Sequence, residues 1–315
     1  MKRKRQRKRQ RKLKCIRILS MIIILGELLS ILTLKLYVKA SDGSEIVIFK
    51  YDKEVSEATA YGEPVYDESL YQIVESSEGS PIVKDVRLDT DVESKLSLLA
   101  AEDEEIAQIY ADKNSYPEEL LTALANNPEL KEFVKGYLAS DGTAKAGLNE
   151  EELSQDFPLL LQWDSRWGYV SYGKTNIGIS GCGPTCMAMV IFSLTRDASA
   201  TPDALASYSM KNGYYSQGAG TSWLFMTDAA KAYGLNAKEL GLDEESMKSY
   251  LDSGRPIICA MRPGDFTTMG HFIMIYGYDK DGFLINDPNS RERSSRHWDF
   301  DTLHYQIKNL WGYYI

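Results

Sequence analysis

Twelve consecutive residues, Gly181 to Phe192 (GCGPTCMAMVIF), constrain this chain more than any others. Met187, Met189, Val190 and Ile191 are too apolar for an exposed helix, so a helix built here has to be buried. Gly181 and Gly183 let the backbone bend tightly on either side of Cys182. Pro184 suits the first helical position, where its missing N–H would have had no partner. The stretch reads as a cysteine at the start of a core helix. The positive end of the helix dipole favours a thiolate there, and a thiolate is what makes cysteine a nucleophile. A structural cysteine at a tight turn fits the same residues equally well.

The chain has 315 residues, 43% of them apolar, which is enough for a real core and for more than one unit. Its net charge of -9 hides an asymmetry: residues 1–39 hold 13 Lys/Arg against one acid, Glu27. The acidic remainder would repel phosphates, which argues against nucleic-acid binding by the body. Eleven Lys/Arg between Lys2 and Arg17 precede an apolar run from Ile18 to Leu34. That order keeps the N-terminus in the cytoplasm and sends the rest outward. Two readings compete. The favoured one is a basic cytoplasmic segment (1–17) followed by a transmembrane anchor or uncleaved signal (18–38). The other is a signal peptide cleaved near Val38-Lys39-Ala40, giving a secreted protein. The span is short and Glu27 is costly inside it, yet the basic tract and the apolar length both exceed a usual signal peptide.

Residues 39–92 are polar and irregular, as in a stalk. From 93 to 150 the pattern is that of a small module of about three helices. Leu96, Leu99, Ile106 and Tyr110 share one face. Ser115 and Pro117 open a helix with Leu120, Leu121 and Leu124 inward. Asn127 and Pro128 repeat the signal ahead of Leu130, Phe133, Val134 and Tyr137. The module has no His, Cys or Trp, so a packing or spacer role is expected.

All five Trp and all three His lie beyond Glu150, which makes 155–315 the chemically equipped domain. Phe157 to Trp163 is apolar and strand-like. Helices are expected at Gly181–Leu194, Thr201–Asn212, Ser222–Tyr233 and Asp243–Asp252. Strands follow at Pro256–Met261, His271–Tyr278, Phe283–Asn286 and Leu310–Ile315, with a hairpin turn at Asp281-Gly282. Helices first and strands later indicate an α+β fold with a mainly antiparallel sheet. The run Asp279-Lys280-Asp281-Gly282 lacks the further carboxylates of a calcium loop; the hairpin accounts for it, and no metal is expected.

A thiolate nucleophile needs a base, an orienter for the base, and donors for the oxyanion. His271, at the mouth of an apolar strand, is the best base among three histidines; His297 sits in a charged loop and His304 in a helical stretch. Asp287, at the end of the strand that pairs back, is the candidate orienter, with Asn286 as the alternative. Asp287 also fits a plain Asp-Pro turn. The Cys182 N–H and the Gln162 amide are candidate oxyanion donors; Gln162 could instead cap a turn. Such chemistry needs no cofactor. The four cysteines are Cys15, Cys182, Cys186 and Cys259. Cys15 would lie at the cytoplasmic edge, and three thiols outside do not make a disulfide framework. A local Cys182–Cys186 bridge is the one pairing to weigh, and it would abolish a catalytic thiol. Cys186 and Cys259 otherwise read as core.

Gln162 with Trp167, Gly181-Cys-Gly-Pro-Thr, Gly270-His-Phe and Asn286-Asp-Pro together resemble the peptidase C39-like group, papain-like relatives of the bacteriocin-processing peptidases. The resemblance implies a papain-like cysteine peptidase fold, with N-terminal helices packed on the sheet. It implies Cys182 as nucleophile, His271 as base, Asp287 as orienter and Gln162 in the oxyanion hole. In the bacteriocin-processing members the Gln lies only a few residues before the Cys; here it lies twenty before, in the manner of the looser group. Nothing in the chain resembles their ABC transporter, so cleavage after a double-glycine leader is not implied. The expected function is a membrane-anchored, outward-facing cysteine peptidase acting on a peptide or protein at the cell surface. A thiol amidase or transpeptidase acting on cell-wall peptides, and a non-catalytic binding module on the same fold, are the alternatives.

Overall fold

The apolar stretch after Cys182 is a helix, buried without a break from Gly183 to Phe192. The computed structural model describes residues 92–218 and 220–315. The expected basic segment (1–17), the anchor (18–38) and all but the last residue of the stalk (39–92) lie outside the described residues. No helix among the described residues is long and apolar enough to cross a membrane.

The helical module has four helices rather than three: α1 (Val92–Glu102), α2 (Glu104–Ala111), α3 (Glu118–Asn126) and α4 (Lys131–Tyr137). Asp103 makes the extra break. Its side chain accepts the N–H groups of Glu105 and Ile106, at 2.9 and 3.1 Å, and so caps a new helix inside an otherwise continuous apolar pattern. The inward faces of the module form a core that also takes in Leu161 and Trp163. The module is therefore packed onto the segment that leads into the next domain.

α5 (Glu150–Ser154) follows, with an Asn149–Glu152 capping box. Phe157 to Trp163 is not a strand; it has no ladder partner. Pro158 cannot donate to a ladder, and the carbonyls of Phe157 and Pro158 are taken by the Asn286 side chain at 3.1 and 3.0 Å. The small hairpin of β1 (Ser171–Tyr172) and β2 (Thr175–Asn176) precedes α6 (Ile177–Ser180) and α7 (Cys182–Thr195). Pro184 stands third in α7, not first, but its missing N–H still falls among those with no intrahelical acceptor. α8 (Pro202–Lys211) begins, as expected, at a Thr201 cap. β3 (Tyr215–Ser216) and β4 (Gly220–Thr221) form a second short hairpin, and α9 (Leu224–Ala232), β5 (Asn236–Glu239) and α10 (Glu244–Leu251) complete the helical half.

The remaining elements build the sheet: β6 (Ile257–Met261), β7 (His271–Asp279), β8 (Gly282–Asn286), α11 (Arg291–Ser294), β9 (His297–Trp298), α12 (Phe300–His304) and β10 (Ile307–Tyr314). The strand order is β5-β10-β6-β7-β8-β9, and every neighbouring pair is antiparallel. The α+β class with an antiparallel sheet is thus what the sequence pattern predicts. Both faces of the sheet are covered. Ile258, Ala260, Phe272, Met274, Trp311 and Tyr313 pack with α7, α8 and α9. Ile257, Cys259, Met261, Ile273, Ile275 and Ile285 pack with Met247 and Leu251 of α10 and with Trp298 and Leu303. Double burial is why β6 and β7 read as continuous apolar runs.

One irregularity in this sheet matters for the site. The β7–β8 register runs Asp279↔Gly282, Tyr278↔Phe283 and Gly277↔Leu284, then shifts to Ile275↔Ile285 and Met274↔Asn286. Tyr276 is the extra residue. A one-residue slip changes which face a side chain shares with its neighbours. Continued without the bulge, the register would set Asp287 opposite Met274. With it, the register carried one step past Met274↔Asn286 would set Asp287 opposite Ile273, on the face of His271. The turn itself is centred on Lys280 and Asp281, one residue earlier than expected, and Gly282 follows it at φ 138°.

A Cβ at Gly282 would stand 2.7 Å from the Trp298 carbonyl oxygen. Gly282→Ala is expected to cost about 1–3 kcal/mol in urea denaturation, while Asp281→Asn stays within about 0.5 kcal/mol. Equal stabilities for the two variants would contradict this account of the hairpin.

Candidate functional site

Cys182 is the first residue of α7 and is half-buried. The two glycines beside it are required for space rather than for an unusual backbone angle. Gly181 has φ −89°, but a Cβ there would come within 2.5 Å of the Ile177 carbonyl oxygen, and one at Gly183 within 2.8 Å of the Thr221 side chain. The helix end is thus held tightly between α6 and β4. Cys182, Cys186 and Cys259 are free thiols.

His271 is the first residue of β7 and is 8% exposed. Its Nε2 lies 2.7 Å from Asp287 Oδ1, and Cys182 is the other side chain that favours the charged form of the same imidazole. With Nε2 committed to Asp287, Nδ1 is the ring atom left for the thiol. Burial pulls the His271 pKa down, but Asp287 and Cys182 outweigh it and raise it to about 9. The arrangement favours an imidazolium flanked by two groups that can carry negative charge.

Asp287 is completely buried. Its Oδ1 also accepts the Asn289 N–H at 2.7 Å, and its Oδ2 accepts from Arg293 Nε at 2.5 Å. Burial pushes its carboxyl up, yet His271 and Arg293 together hold it below the ordinary carboxylate value. Asn286, the alternative orienter, is turned instead toward the carbonyls of Phe157 and Pro158. Arg293 is a residue that sequence reasoning missed. It lies in a charged run, and nothing in that run marks which of its arginines turns inward.

Gln162 is 3% exposed and ties the two halves of the site together. Its backbone N–H donates to the Pro288 carbonyl at 2.7 Å. Its side-chain Nε2 donates to the Gly178 carbonyl at 2.9 Å and makes a longer 3.4 Å contact with that of Ile179, in the helix just before Cys182. Its Oε1 has no partner. The amide is therefore engaged by α6, and only the N–H making the longer contact is open to a substrate oxygen. Trp163 and Trp167 pack the core and anchor backbone, donating to the carbonyls of Asn289 (3.1 Å) and Leu161 (2.8 Å). His297 and His304 are exposed on the far elements β9 and α12, where His297 pairs with Asp279 at 2.9 Å. Cys186 is buried and donates to the Phe272 carbonyl at 3.3 Å; burial pushes its thiol well up. Burial also raises the Cys259 thiol. Among the described residues no cluster of His, Cys, Asp and Glu could hold a metal ion.

The sequence model of the Peptidase_C39 like family matches residues 154–314. The chain belongs to that family. Solved structures similar to this C39-like chain include the peptidase domain of Streptococcus ComA, a bi-functional ABC transporter involved in a quorum-sensing pathway. It is 18% identical, with a TM-score of 0.35, over 50% of this chain and 96% of that one. The peptidase domain of Streptococcus mutans ComA is 21% identical, with a TM-score of 0.27, over 50% and 96% of the two chains. No curated protein matches the chain.

His271 binds its proton more tightly in the folded C39-like domain than in the unfolded chain. The stabilisation this provides is complete below pH 6.5 and is lost as the pH rises through about 9. The stability advantage of the wild type over His271→Gln should therefore shrink between those two pH values in denaturant titrations. A constant difference across that window would contradict the pairing.

Proposed function

We propose that this chain is a membrane-anchored, extracytoplasmic cysteine peptidase. The observation that carries the reading is the buried His271–Asp287 pair, 2.7 Å from Nε2 to Oδ1, on an imidazole whose charged form Cys182 also favours. In this mechanism the Cys182 sulfur attacks a peptide carbonyl carbon. The oxyanion takes the Cys182 backbone N–H and the Gln162 amide as donors. His271 then gives its proton to the leaving amine, and a thioester remains. Water, deprotonated by His271, attacks the thioester and releases the acid. Asp287 holds the imidazole in the required tautomer throughout. Cell-surface placement rests on the basic tract and the apolar run that follow one another before residue 39, with a cleaved, secreted form as the other arrangement.

The test uses a thiol-directed probe, an unstructured protein substrate and purified peptidoglycan. Cys182→Ala should abolish labelling and hydrolysis, while Cys186→Ala spares both. Gln162→Ala should lower kcat about 10²–10³-fold, the usual cost of losing one oxyanion donor. Product from peptidoglycan alone would move the reading to a thiol amidase or transpeptidase. An unreactive Cys182 with no product from either substrate would leave a binding module.

A further inference from the structure

The helical module reaches the loop that carries Asp287, and it does so through two side chains. Asn127 Nδ2 donates to the Asn289 carbonyl at 2.5 Å, the same oxygen that receives the Trp163 indole N–H. Asn127 Oδ1 also accepts the Glu129 N–H at 3.1 Å, which orients the second side chain. Glu129 Oε1 accepts from the Ser290 hydroxyl and, more weakly, from the Glu292 N–H at 3.4 Å. Glu129 Oε2 accepts the Arg291 N–H at 2.8 Å. One carboxylate from the module thus gathers three donors at the start of α11.

Those contacts continue inward. The Ser290 hydroxyl oxygen accepts the Arg293 N–H at 3.1 Å, and Arg293 Nε reaches Asp287 Oδ2. The Asp287 N–H donates to Ser294 Oγ at 2.8 Å, and that hydroxyl donates to the Ser290 carbonyl at 2.7 Å. The loop has no sheet ladder of its own beyond a single Asp287↔Ser290 bridge. Beyond that bridge, the Gln162 N–H bond to the Pro288 carbonyl and the Trp163 indole, its shape depends on side-chain contacts, and Glu129 and Asn127 add theirs from a different module.

We propose that Glu129 is a positioning residue for the Cys182–His271–Asp287 site: it fixes the turn from Ser290 to Arg293, and through Arg293 it holds the Asp287 carboxylate on His271. The module becomes a working part of the site rather than a spacer. This inference rests on the function proposed above. A purely structural cap would also bind Ser290 and Arg291, but it would affect melting without affecting His271.

The experiment uses the full chain and four forms: wild type, Glu129→Ala, Glu129→Gln and Glu105→Gln. Glu105 lies in the same module, paired with Lys131 and Lys135 away from the loop. The His271 titration midpoint is followed by NMR, and kcat and KM are measured on a peptide substrate. The groups facing the ring are Asp287 and Cys182, so a loosened Asp287 registers directly in the midpoint. Glu129→Ala is expected to lower the midpoint by about half a pH unit or more and kcat by about tenfold, with KM within about twofold. Glu129→Gln, which keeps an oxygen for the Ser290 hydroxyl, should fall between, and Glu105→Gln should match wild type. An unchanged midpoint in Glu129→Ala, or an equal drop in Glu105→Gln, overturns the proposal. If Glu129→Ala does not fold, Glu129→Gln is read against the same criteria. Wild-type protein with no Cys182-dependent turnover would count against the peptidase reading alone, because the midpoint still decides the role of Glu129.

Discussion

A fully buried carboxylate governs the candidate site of this structure. An ionised Asp taken out of water carries a large desolvation cost unless every lone pair finds a donor. Asp287 meets that demand with the His271 ring and the Asn289 N–H on one oxygen and Arg293 on the other. Satisfying it dictates the course of the chain from Asn286 to Ser294. β8 has to end facing His271, the chain has to turn back at once, and α11 has to begin where it can deliver Arg293. The same requirement links the site to the rest of the fold, since Gln162, Trp163 and Asn127 all bond carbonyls in that turn.

Two local irregularities convert an ordinary antiparallel sheet into this arrangement. The Tyr276 bulge changes the face on which Asp287 emerges, and the crowding at Gly181 and Gly183 seats the first turn of α7 against its neighbours. The two thiols of α7 then differ by depth. Cys182 is half-buried at the helix start, and its side chain favours the charged form of His271. Cys186, one turn on, is sealed against β7, and burial disfavours its charged form.

The α+β class and most of the elements were legible because their ends carry chemical markers. Thr201 and Asp243 cap the helices they precede, and Gly234 and Gly254 follow helices with positive φ. The Cys, His and Asp of the candidate site could be singled out because the inventory is short and the hairpin returns β8 toward His271. Other features left no such mark. Phe157 to Trp163 has strand composition, but its partner groups are side chains and packing surfaces. β5 and β9 are short edge strands; β5 is polar, and neither shows the alternation of a half-buried strand. Asp103 breaks the first helix with a single cap. Arg293 and Glu129 act through contacts between segments far apart in the chain, which periodicity and local spacing do not register.

If the proposed function holds, the Cys182 sulfur is activated by His271, itself held by Asp287. The most direct measurement is the rate of Cys182 alkylation by iodoacetamide at pH 6, compared with glutathione under the same conditions and followed by peptide mass mapping. Cys182 should react about tenfold faster than glutathione or more, and His271→Ala should remove the advantage. A Cys182 that reacts no faster than glutathione, at a rate unchanged by His271→Ala, would contradict it.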